Sequence, residues 1–91
     1  MSFFYVYVLF SEKDHKLYIG FSADVYRRLE QHNVGMNTST APRRPFRLIY
    51  FEAHILAADA LRRESYFKTS SGKRTLQIVL KQTLEELGYQ K

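Results

Sequence analysis

The chain has 91 residues and a net charge of +5, from 14 basic and 9 acidic side chains. This length predicts one domain over residues 1–91, and a composition of 45% hydrophobic and 25% charged residues is typical of a globular protein rather than a disordered segment. The chain has no cysteine, which excludes disulfides and thiolate metal sites. The excess of basic residues favours a polyanionic partner.

The N-terminal segment predicts neither export nor a membrane span. It has no basic leader, and its apolar run from Phe3 to Phe10 is too short for either purpose. We therefore expect a cytoplasmic protein with no membrane partner. The same run is aromatic and β-branched without a break, which predicts a first strand buried on both faces.

The following residues predict a hairpin and a helix. Ser11 to Lys16 is polar and turn-like, and Leu17 to Phe21 predicts a second, antiparallel strand. Ser22 is the expected helix cap, and the helix is expected to end near Asn33, where Gly35 can supply a positive φ. The residues that repeat on one face of this helix are Val25, Leu29 and His32.

The second half predicts a loop, a strand and two helices. Val34 to Pro45 holds both prolines and has no periodicity, Phe46 to Glu52 predicts a strand, and Ala57 to Lys68 predicts a helix. After an interruption at Thr69 to Gly72, apolar residues, mostly leucine, recur at helical spacing. They predict a last amphipathic helix that stops at Gly88. The order β-β-α-β-α-α predicts an α+β fold with a three-stranded, mainly antiparallel sheet flanked by helices, a core over about residues 3–81 and a C-terminal helix to about residue 87.

The predicted hairpin gathers polar side chains near one place. Residues two apart on a strand share a face, so Tyr18 and Gly20 point the same way, and pairing of the strands brings Tyr7 close to Tyr18. Gly20 is expected to leave space where a phosphate can approach. Arg28 and His32 follow one helical turn apart on the next element.

This ordered set resembles the GIY-YIG nuclease superfamily. The positions that carry the resemblance are Tyr5-Val6-Tyr7, Tyr18-Ile19-Gly20, Arg28, His32 and Leu61-Arg62-Arg63-Glu64. The resemblance covers roughly Phe3 to Lys81 and looks closest to small single-domain bacterial members related to the N-terminal nuclease domain of the DNA repair protein UvrC. Tyr5 stands where the family motif has glycine, and Phe21 stands where UvrC-like domains often carry lysine.

The resemblance implies metal-dependent cleavage of a phosphodiester. In that family Tyr7 would act as general base or activate the attacking water, Tyr18 would assist it, and Arg28 would contact the scissile phosphate. Glu64 would hold one divalent cation, Mg²⁺ or Mn²⁺, and His32 would take a proton from the tyrosine. A nearby guanidinium and a cation both favour a phenolate, so we expect them to lower the tyrosine pKa from its usual value of about 10.

Further residues are predicted to contact nucleic acid. The loop from Val34 to Pro45 is expected to contact the sugar–phosphate backbone of the nucleic acid. The predicted contact residues are Gly20, Arg27, Arg43, Arg44, Lys68 and Lys73.

The predicted function is a metal-dependent endonuclease that acts on nucleic acid, with DNA favoured, through a tyrosine-activated water. One alternative is a non-catalytic nucleic-acid-binding module, and another is a nuclease subunit that needs a protein partner to act. A protein partner could also supply specificity. Tyr7 and Tyr18 could also be plain core aromatics, and Glu64 could simply pair with Lys68. The sequence leaves open DNA against RNA and branched against linear substrates.

Overall fold

A computed structural model describes residues 2–89 and shows a three-stranded antiparallel sheet. Its strands are β1 (Phe4–Ser11), β2 (Leu17–Ser22) and β3 (Phe46–His54), in the order β2-β1-β3. The central strand β1 is buried over its last six residues, as its unbroken apolar sequence predicts. The α+β class and the antiparallel pairing are therefore confirmed.

Within residues 2–89 the structure has four helices, one between β2 and β3 and three after β3. They are α1 (Val25–Asn33), α2 (Ala57–Phe67), α3 (Ser70–Val79) and α4 (Lys81–Leu87), and a single 3₁₀ turn spans Ala41–Arg43. The observed order is β-β-α-β-α-α-α, one helix more than predicted. In the part of the chain that the structure describes, no helix is long and apolar enough to cross a bilayer.

The predicted C-terminal helix divides at Leu80, whose φ of −106° and ψ of 25° lie outside the helical region. Leu76, Leu80 and Leu84 are all buried in one core, so the four-residue repeat runs through the break and leaves no mark of it in the sequence. The interruption predicted from Thr69 to Gly72 exists but is shorter, since only Lys68 and Thr69 separate α2 from α3. Thr69 caps α3 by accepting a hydrogen bond from the Gly72 N–H over 3.0 Å.

Helix α1 is capped by Asp24 rather than by Ser22. The Asp24 carboxylate accepts a hydrogen bond from the Arg27 N–H over 3.1 Å, whereas the Ser22 hydroxyl bonds to the backbone of Asp24. Serine and aspartate both cap helices well, so residue type alone does not distinguish Ser22 from Asp24. The helix ends at Asn33 as predicted, and Gly35 has the expected positive φ of 81°.

The sheet separates two hydrophobic cores. Helices α2, α3 and α4 cover one face, where Val6 and Val8 of β1 are fully buried. Helix α1 covers the other face, where Val25 packs against Tyr7 and Leu9. Alternate residues of β1 therefore enter different cores, and Tyr7 lies on the α1 side.

The segment from residue 34 to residue 45 is a set of turns held at both ends. At its base the Asn33 amide donates to the Phe46 carbonyl over 3.0 Å and accepts from the Phe46 N–H over 2.7 Å. Near its far end Arg43 forms an ion pair of 2.6 Å with Asp14, and the Arg43 carbonyl accepts from Ser11 over 2.6 Å. These contacts give the predicted loop a fixed course over β1 and β2.

Candidate active site

Tyr7 and Tyr18 lie on the same face of the sheet, as the hairpin predicts. Tyr7 is directly opposite Gly20, and Tyr18 is opposite Leu9, one pleat further along. The two phenol rings have centroids 6.3 Å apart. Tyr7 is only 2% exposed, whereas Tyr18 is partly exposed, so the two phenols have different access to solvent.

The space above Gly20 is filled by Tyr7. A Cβ atom added at Gly20 would overlap the hydroxyl and the ring of Tyr7. The sequence predicted an opening for a phosphate at this position, but the structure places the phenol there. Glycine is needed at residue 20 because the phenol of Tyr7, the residue opposite it on β1, lies over its Cα.

A chain of hydrogen bonds runs from Tyr7 through His32 to Thr40. The Tyr7 hydroxyl lies 3.1 Å from His32 Nε2, and His32 Nδ1 lies 2.9 Å from the Thr40 hydroxyl. His32 and Thr40 are each 1% exposed. The imidazole is therefore fixed between two hydroxyl groups and is shielded from water.

Aromatic rings enclose the same imidazole. The Tyr18 ring meets His32 edge-on with centroids 4.9 Å apart, and the Phe46 ring lies 5.8 Å away. Apolar surroundings disfavour a charged imidazole. Burial, followed by the nearby Arg28 charge, lowers the pKa of His32 below its usual 6.5, so the ring is neutral at pH 7 and can accept a proton.

The pKa of Tyr7 is raised, not lowered as the sequence analysis expected. Burial is the largest cause, and the neighbouring Tyr18 adds to it. Arg28 acts in the expected direction but does not offset burial, and Glu64 raises the pKa further. The phenol therefore holds its proton at neutral pH. Tyr7 has to give this proton to a partner before it can act as a base.

Arg28 and Glu64 reach this group from two different helices. The charges of both side chains act on the Tyr7 phenol. Arg28 is exposed and has no ion-pair partner within residues 2–89. It borders a cleft of about 410 Å³. The other residues that line this cleft are Gln31, His32, Met36, Asn37 and Thr38.

Glu64 is the candidate cation ligand. Its side chain is 19% exposed, and one carboxylate oxygen lies 3.2 Å from Lys68 Nζ. Within residues 2–89 no three His, Cys, Asp or Glu side chains form a group that could hold a metal ion. A single accessible carboxylate nevertheless fits Mg²⁺, which keeps several waters and takes other ligands from substrate phosphate.

Comparison with known proteins agrees with this arrangement. The family model described as the GIY-YIG catalytic domain matches residues 3–77. The chain belongs to the GIY-YIG family. A UPF0213 protein of Clostridium perfringens is 34% identical over 88 residues, which cover 96% of this chain and 94% of that protein.

Two staphylococcal proteins are also similar to this GIY-YIG chain. A UPF0213 protein of Staphylococcus saprophyticus is 36% identical over 76 residues, covering 82% of this chain and 92% of that protein. A UPF0213 protein of Staphylococcus aureus is 37% identical over 67 residues, covering 72% and 82%. No solved structure matches the chain. The family implies a nuclease fold that acts on nucleic acid and generally uses divalent metal ions.

The predicted nucleic-acid contacts of this GIY-YIG domain are in unequal situations. Arg27, Arg44, Lys68 and Lys73 are all exposed. Arg43 instead pairs with Asp14, and its guanidinium lies 5.5 Å from the centre of the Phe46 ring. Its charge is therefore partly neutralised within the protein, and its predicted contact with phosphate stays a prediction.

A second ionic cluster supports α2 beside Glu64. Arg63 binds Glu52 of β3 with two hydrogen bonds of 2.9 and 2.7 Å, and Tyr50 and His54 donate to the same carboxylate over 2.9 and 3.2 Å. The Arg63 guanidinium also lies 4.4 Å from the centre of the Phe67 ring. His54, the last residue of β3, also belongs to this cluster.

Sequence reasoning missed Thr40 and Phe46, both of which contact His32. Thr40 lies in a segment without periodicity, among other small polar residues, so no pattern separates it from Thr38 or Ser39. Phe46 was recognised only as the first residue of a strand. Both depend on the course of the loop, which is a tertiary property.

Proposed function

We propose that this chain is a single-domain GIY-YIG endonuclease, over residues 1–91, that hydrolyses phosphodiester bonds in DNA with one divalent cation. The observation that carries the proposal is the 3.1 Å hydrogen bond between the Tyr7 hydroxyl and His32 Nε2. A buried phenol with a raised pKa is bonded to a neutral imidazole with a lowered pKa. The hydrogen bond gives the phenol proton a direct path to the imidazole. The two pKa shifts keep that proton on Tyr7 in the free protein, so the transfer needs the positive charge of Arg28 and of a bound cation, both of which favour the phenolate.

The proposed reaction moves two protons in sequence. The Tyr7 phenol gives its proton to His32 Nε2 and takes a proton from the attacking water. The resulting hydroxide attacks phosphorus, and the bond from phosphorus to the leaving oxygen breaks, with its electron pair going to that oxygen. His32 therefore becomes an imidazolium, and Tyr7 ends the step protonated, as a general base acting through a relay. The leaving oxygen then takes a proton from solvent water, and His32 later returns its proton to solvent.

Arg28 and Tyr18 assist this step at the phosphate. The Arg28 guanidinium has no carboxylate partner within residues 2–89 and can bind two phosphate oxygens at once. Charge builds on those oxygens in the transition state, so the interaction strengthens there. The partly exposed Tyr18 can orient the attacking water beside Tyr7.

Glu64 would hold the cation, Mg²⁺ or Mn²⁺, next to the same phosphate. When bound, such an ion polarises the phosphate and stabilises charge on the leaving oxygen. In the absence of a cation, Lys68 pairs with the Glu64 carboxylate and keeps it in position on α2. The side chain of Glu64 is only partly buried, which allows water and substrate to complete the coordination.

Binding to DNA is proposed to be mainly electrostatic. The net charge of +5 and the exposed Arg27, Arg44, Lys68 and Lys73 support contacts to phosphates. Such contacts carry no sequence information, so a protein partner could supply specificity. A cytoplasmic location and the choice of DNA over RNA remain predictions.

A cleavage assay tests the proposed function. Wild type, Tyr7→Phe and Glu64→Ala would be incubated with labelled single-stranded, duplex and branched DNA and with RNA, in Mg²⁺, Mn²⁺ or EDTA. Tyr26→Phe and Glu86→Ala are matched controls on exposed residues. We expect EDTA to abolish cleavage, and each site variant to lose about 10²–10⁴-fold in rate while binding persists.

Two outcomes would contradict the proposal. Cleavage that survives in Tyr7→Phe would remove the phenol from the mechanism. Salt-sensitive binding without cleavage of any substrate would favour the nucleic-acid-binding module, or a subunit that acts only with its partner.

A further inference from the structure

Thr40 makes a contact with His32 that the GIY-YIG motif residues do not include. Its hydroxyl lies 2.9 Å from His32 Nδ1, on the side of the ring opposite Tyr7. Thr40 is 1% exposed although it sits in a segment of turns between α1 and β3. A buried hydroxyl on a connecting segment needs a reason, because such segments usually run over the surface.

The turns around Thr40 fix the position of its hydroxyl. The Thr40 N–H donates to the Asn37 carbonyl over 3.2 Å, and the Thr40 carbonyl accepts from the Arg43 N–H over 2.9 Å. The Asn37 side chain accepts hydrogen bonds from the Ser39 N–H and hydroxyl. Both sides of residue 40 are therefore tied into the turn, and the backbone holds the side chain under the imidazole.

The group to which the Thr40 hydroxyl donates is linked to the tautomer of His32. The Thr40 hydroxyl can donate to the Asn37 carbonyl over 3.4 Å. With its proton directed at Asn37, the Thr40 oxygen faces Nδ1 as an acceptor, an arrangement that requires the imidazole proton on Nδ1. Nε2 is left with a lone pair toward the Tyr7 hydroxyl, which donates to it.

We propose that Thr40 is a positioning residue that holds His32 in the Nδ1–H tautomer, so that Nε2 is free to accept the Tyr7 proton. This inference rests on the proposed function only for its effect on rate. The tautomer itself is a property of the folded protein. With the opposite tautomer, Nε2 would donate to Tyr7 and the imidazole could not take the phenol proton.

Nuclear magnetic resonance tests the tautomer without any cleavage. Two-bond proton–nitrogen correlations of the His32 ring, recorded where the imidazole is neutral, distinguish the two nitrogens. We expect the Nδ1–H pattern in wild type and in Thr40→Ser, which keeps the hydroxyl. Thr40→Val keeps the shape but loses the oxygen, and we expect its signals to move toward the Nε2–H pattern. An Nε2–H pattern in wild type would overturn the proposal.

Kinetics test the consequence for the reaction. We expect Thr40→Val to lower kcat by about 10–100-fold with little change in KM, as is usual when the partner that orients a functional histidine is removed. Thr40→Ser should restore most of the rate. Thr83→Val is the matched control, because Thr83 is half-buried in α4, whose Leu84 packs on the opposite face of the sheet.

The two readouts separate the possible failures. If the tautomer changes in Thr40→Val but wild type cleaves nothing, the proposed nuclease function fails and the positioning role of Thr40 stands. If wild type cleaves and Thr40→Val cleaves equally well, the positioning role is refuted and the nuclease stands. Thermal unfolding of each variant shows whether a lost rate reflects lost fold.

Discussion

The Tyr7 phenol lies over the Cα of Gly20, directly across the pair of strands β1 and β2. Tyr7, which is expected to move a proton, and Gly20, the glycine of the second motif, are thus packed against each other. Glycine is required because any Cβ at residue 20 would occupy the space of the phenol. The spacing of the two motifs follows from the strand register that sets them opposite each other.

Gly20→Ala is therefore expected to displace Tyr7 from His32. The variant should lower the free energy of unfolding by roughly 1–3 kcal/mol, as overpacking of a full core does. Cleavage should fall further than the loss of stability explains. Urea unfolding and cleavage rates measured on the same preparation would check both effects.

A double-mutant cycle supplies the control for this prediction. Gly20→Ala should cost much less stability in a Tyr7→Ala background, where the space above residue 20 is empty. If the cost is the same in both backgrounds, the effect comes from the strand itself and not from the contact with Tyr7.

The lowered pKa of His32 predicts a loss of stability and activity in acid. The folded protein holds His32 neutral, so it binds fewer protons than the unfolded chain as the pH falls below 6.5. His32 contributes fully to stability above pH 6.5. That contribution is lost as the pH falls from 6.5 to the lowered pKa of His32 in the folded protein. Each pKa unit of depression corresponds to about 1.4 kcal/mol.

Urea unfolding at pH 7.5 and pH 5.5 measures this effect. Wild type should lose more stability between the two values than His32→Gln does, because glutamine does not titrate. His15 and His54 are present in both proteins, so the difference isolates His32. The cleavage rate of wild type should be level near neutral pH and fall in acid, where the imidazolium cannot accept a proton. A rate that rises on acidification would rule out His32 as the acceptor.

The fold could be predicted largely because each element has its own sequence signal. The strands alternate or are continuously apolar, α1 has a capping residue before it and Gly35 beyond its end, and α2 is rich in helix-forming residues. The break at Leu80 was missed because leucines recur every four residues through α3 and α4 and all pack into the same core. The cap of α1 was misplaced by two residues because Ser22 and Asp24 are equally good caps.

The site could be predicted only as far as the motifs reach. Tyr7 and Tyr18 share a face because side chains alternate along a strand, and that follows from sequence alone. The partner of His32 does not, since Thr40 is brought to Nδ1 by turns that have no periodic pattern. The direction of the Tyr7 pKa was wrong for the same reason. Burial depends on what covers a residue, and α1 covers Tyr7 more completely than the hairpin alone indicates.

Arg43 and Arg44 are adjacent in sequence but are expected to behave differently. Arg44 is exposed, with Nε donating to the Ala41 carbonyl over 2.8 Å, and its remaining donors can meet a phosphate. Arg44→Ala should reduce the slope of log affinity against log salt by about 1. Fluorescence anisotropy with labelled DNA at several salt concentrations gives this slope.

Arg43→Ala should act on stability before it acts on binding. It removes the ion pair with Asp14, and because both side chains are about a third exposed and solvent screens the pair, we expect a loss of about 1 kcal/mol. Arg74→Ala, on an exposed residue of α3, is the matched control for removal of an arginine. An equal change of salt slope in the Arg43 and Arg44 variants, with both stabilities unchanged, would show instead that both side chains bind phosphate.

The Glu52–Arg63 pair predicts a second acid-sensitive contribution, independent of His32. Hydrogen bonds from Arg63, then those from Tyr50 and His54, lower the pKa of Glu52 from 4.5 to about 2. Because the folded pKa is depressed, the stabilisation is present above pH 4.5 and is lost as the pH falls toward 2. The Arg63 side chain is 37% exposed, so solvent screens part of the interaction.

Glu52→Gln should therefore lower the free energy of unfolding by roughly 1–3 kcal/mol at pH 7 and flatten its decline between pH 4.5 and pH 2. Glu86→Gln, on an exposed residue of α4, should change neither. Because Arg63 directly precedes Glu64 on α2, loosening this pair also shifts the residue proposed to hold the cation. We expect the Glu52→Gln protein to need more Mg²⁺ for half-maximal cleavage while the fully loaded rate stays near wild type. An unchanged metal requirement in a destabilised protein would show that the cluster supports the fold alone.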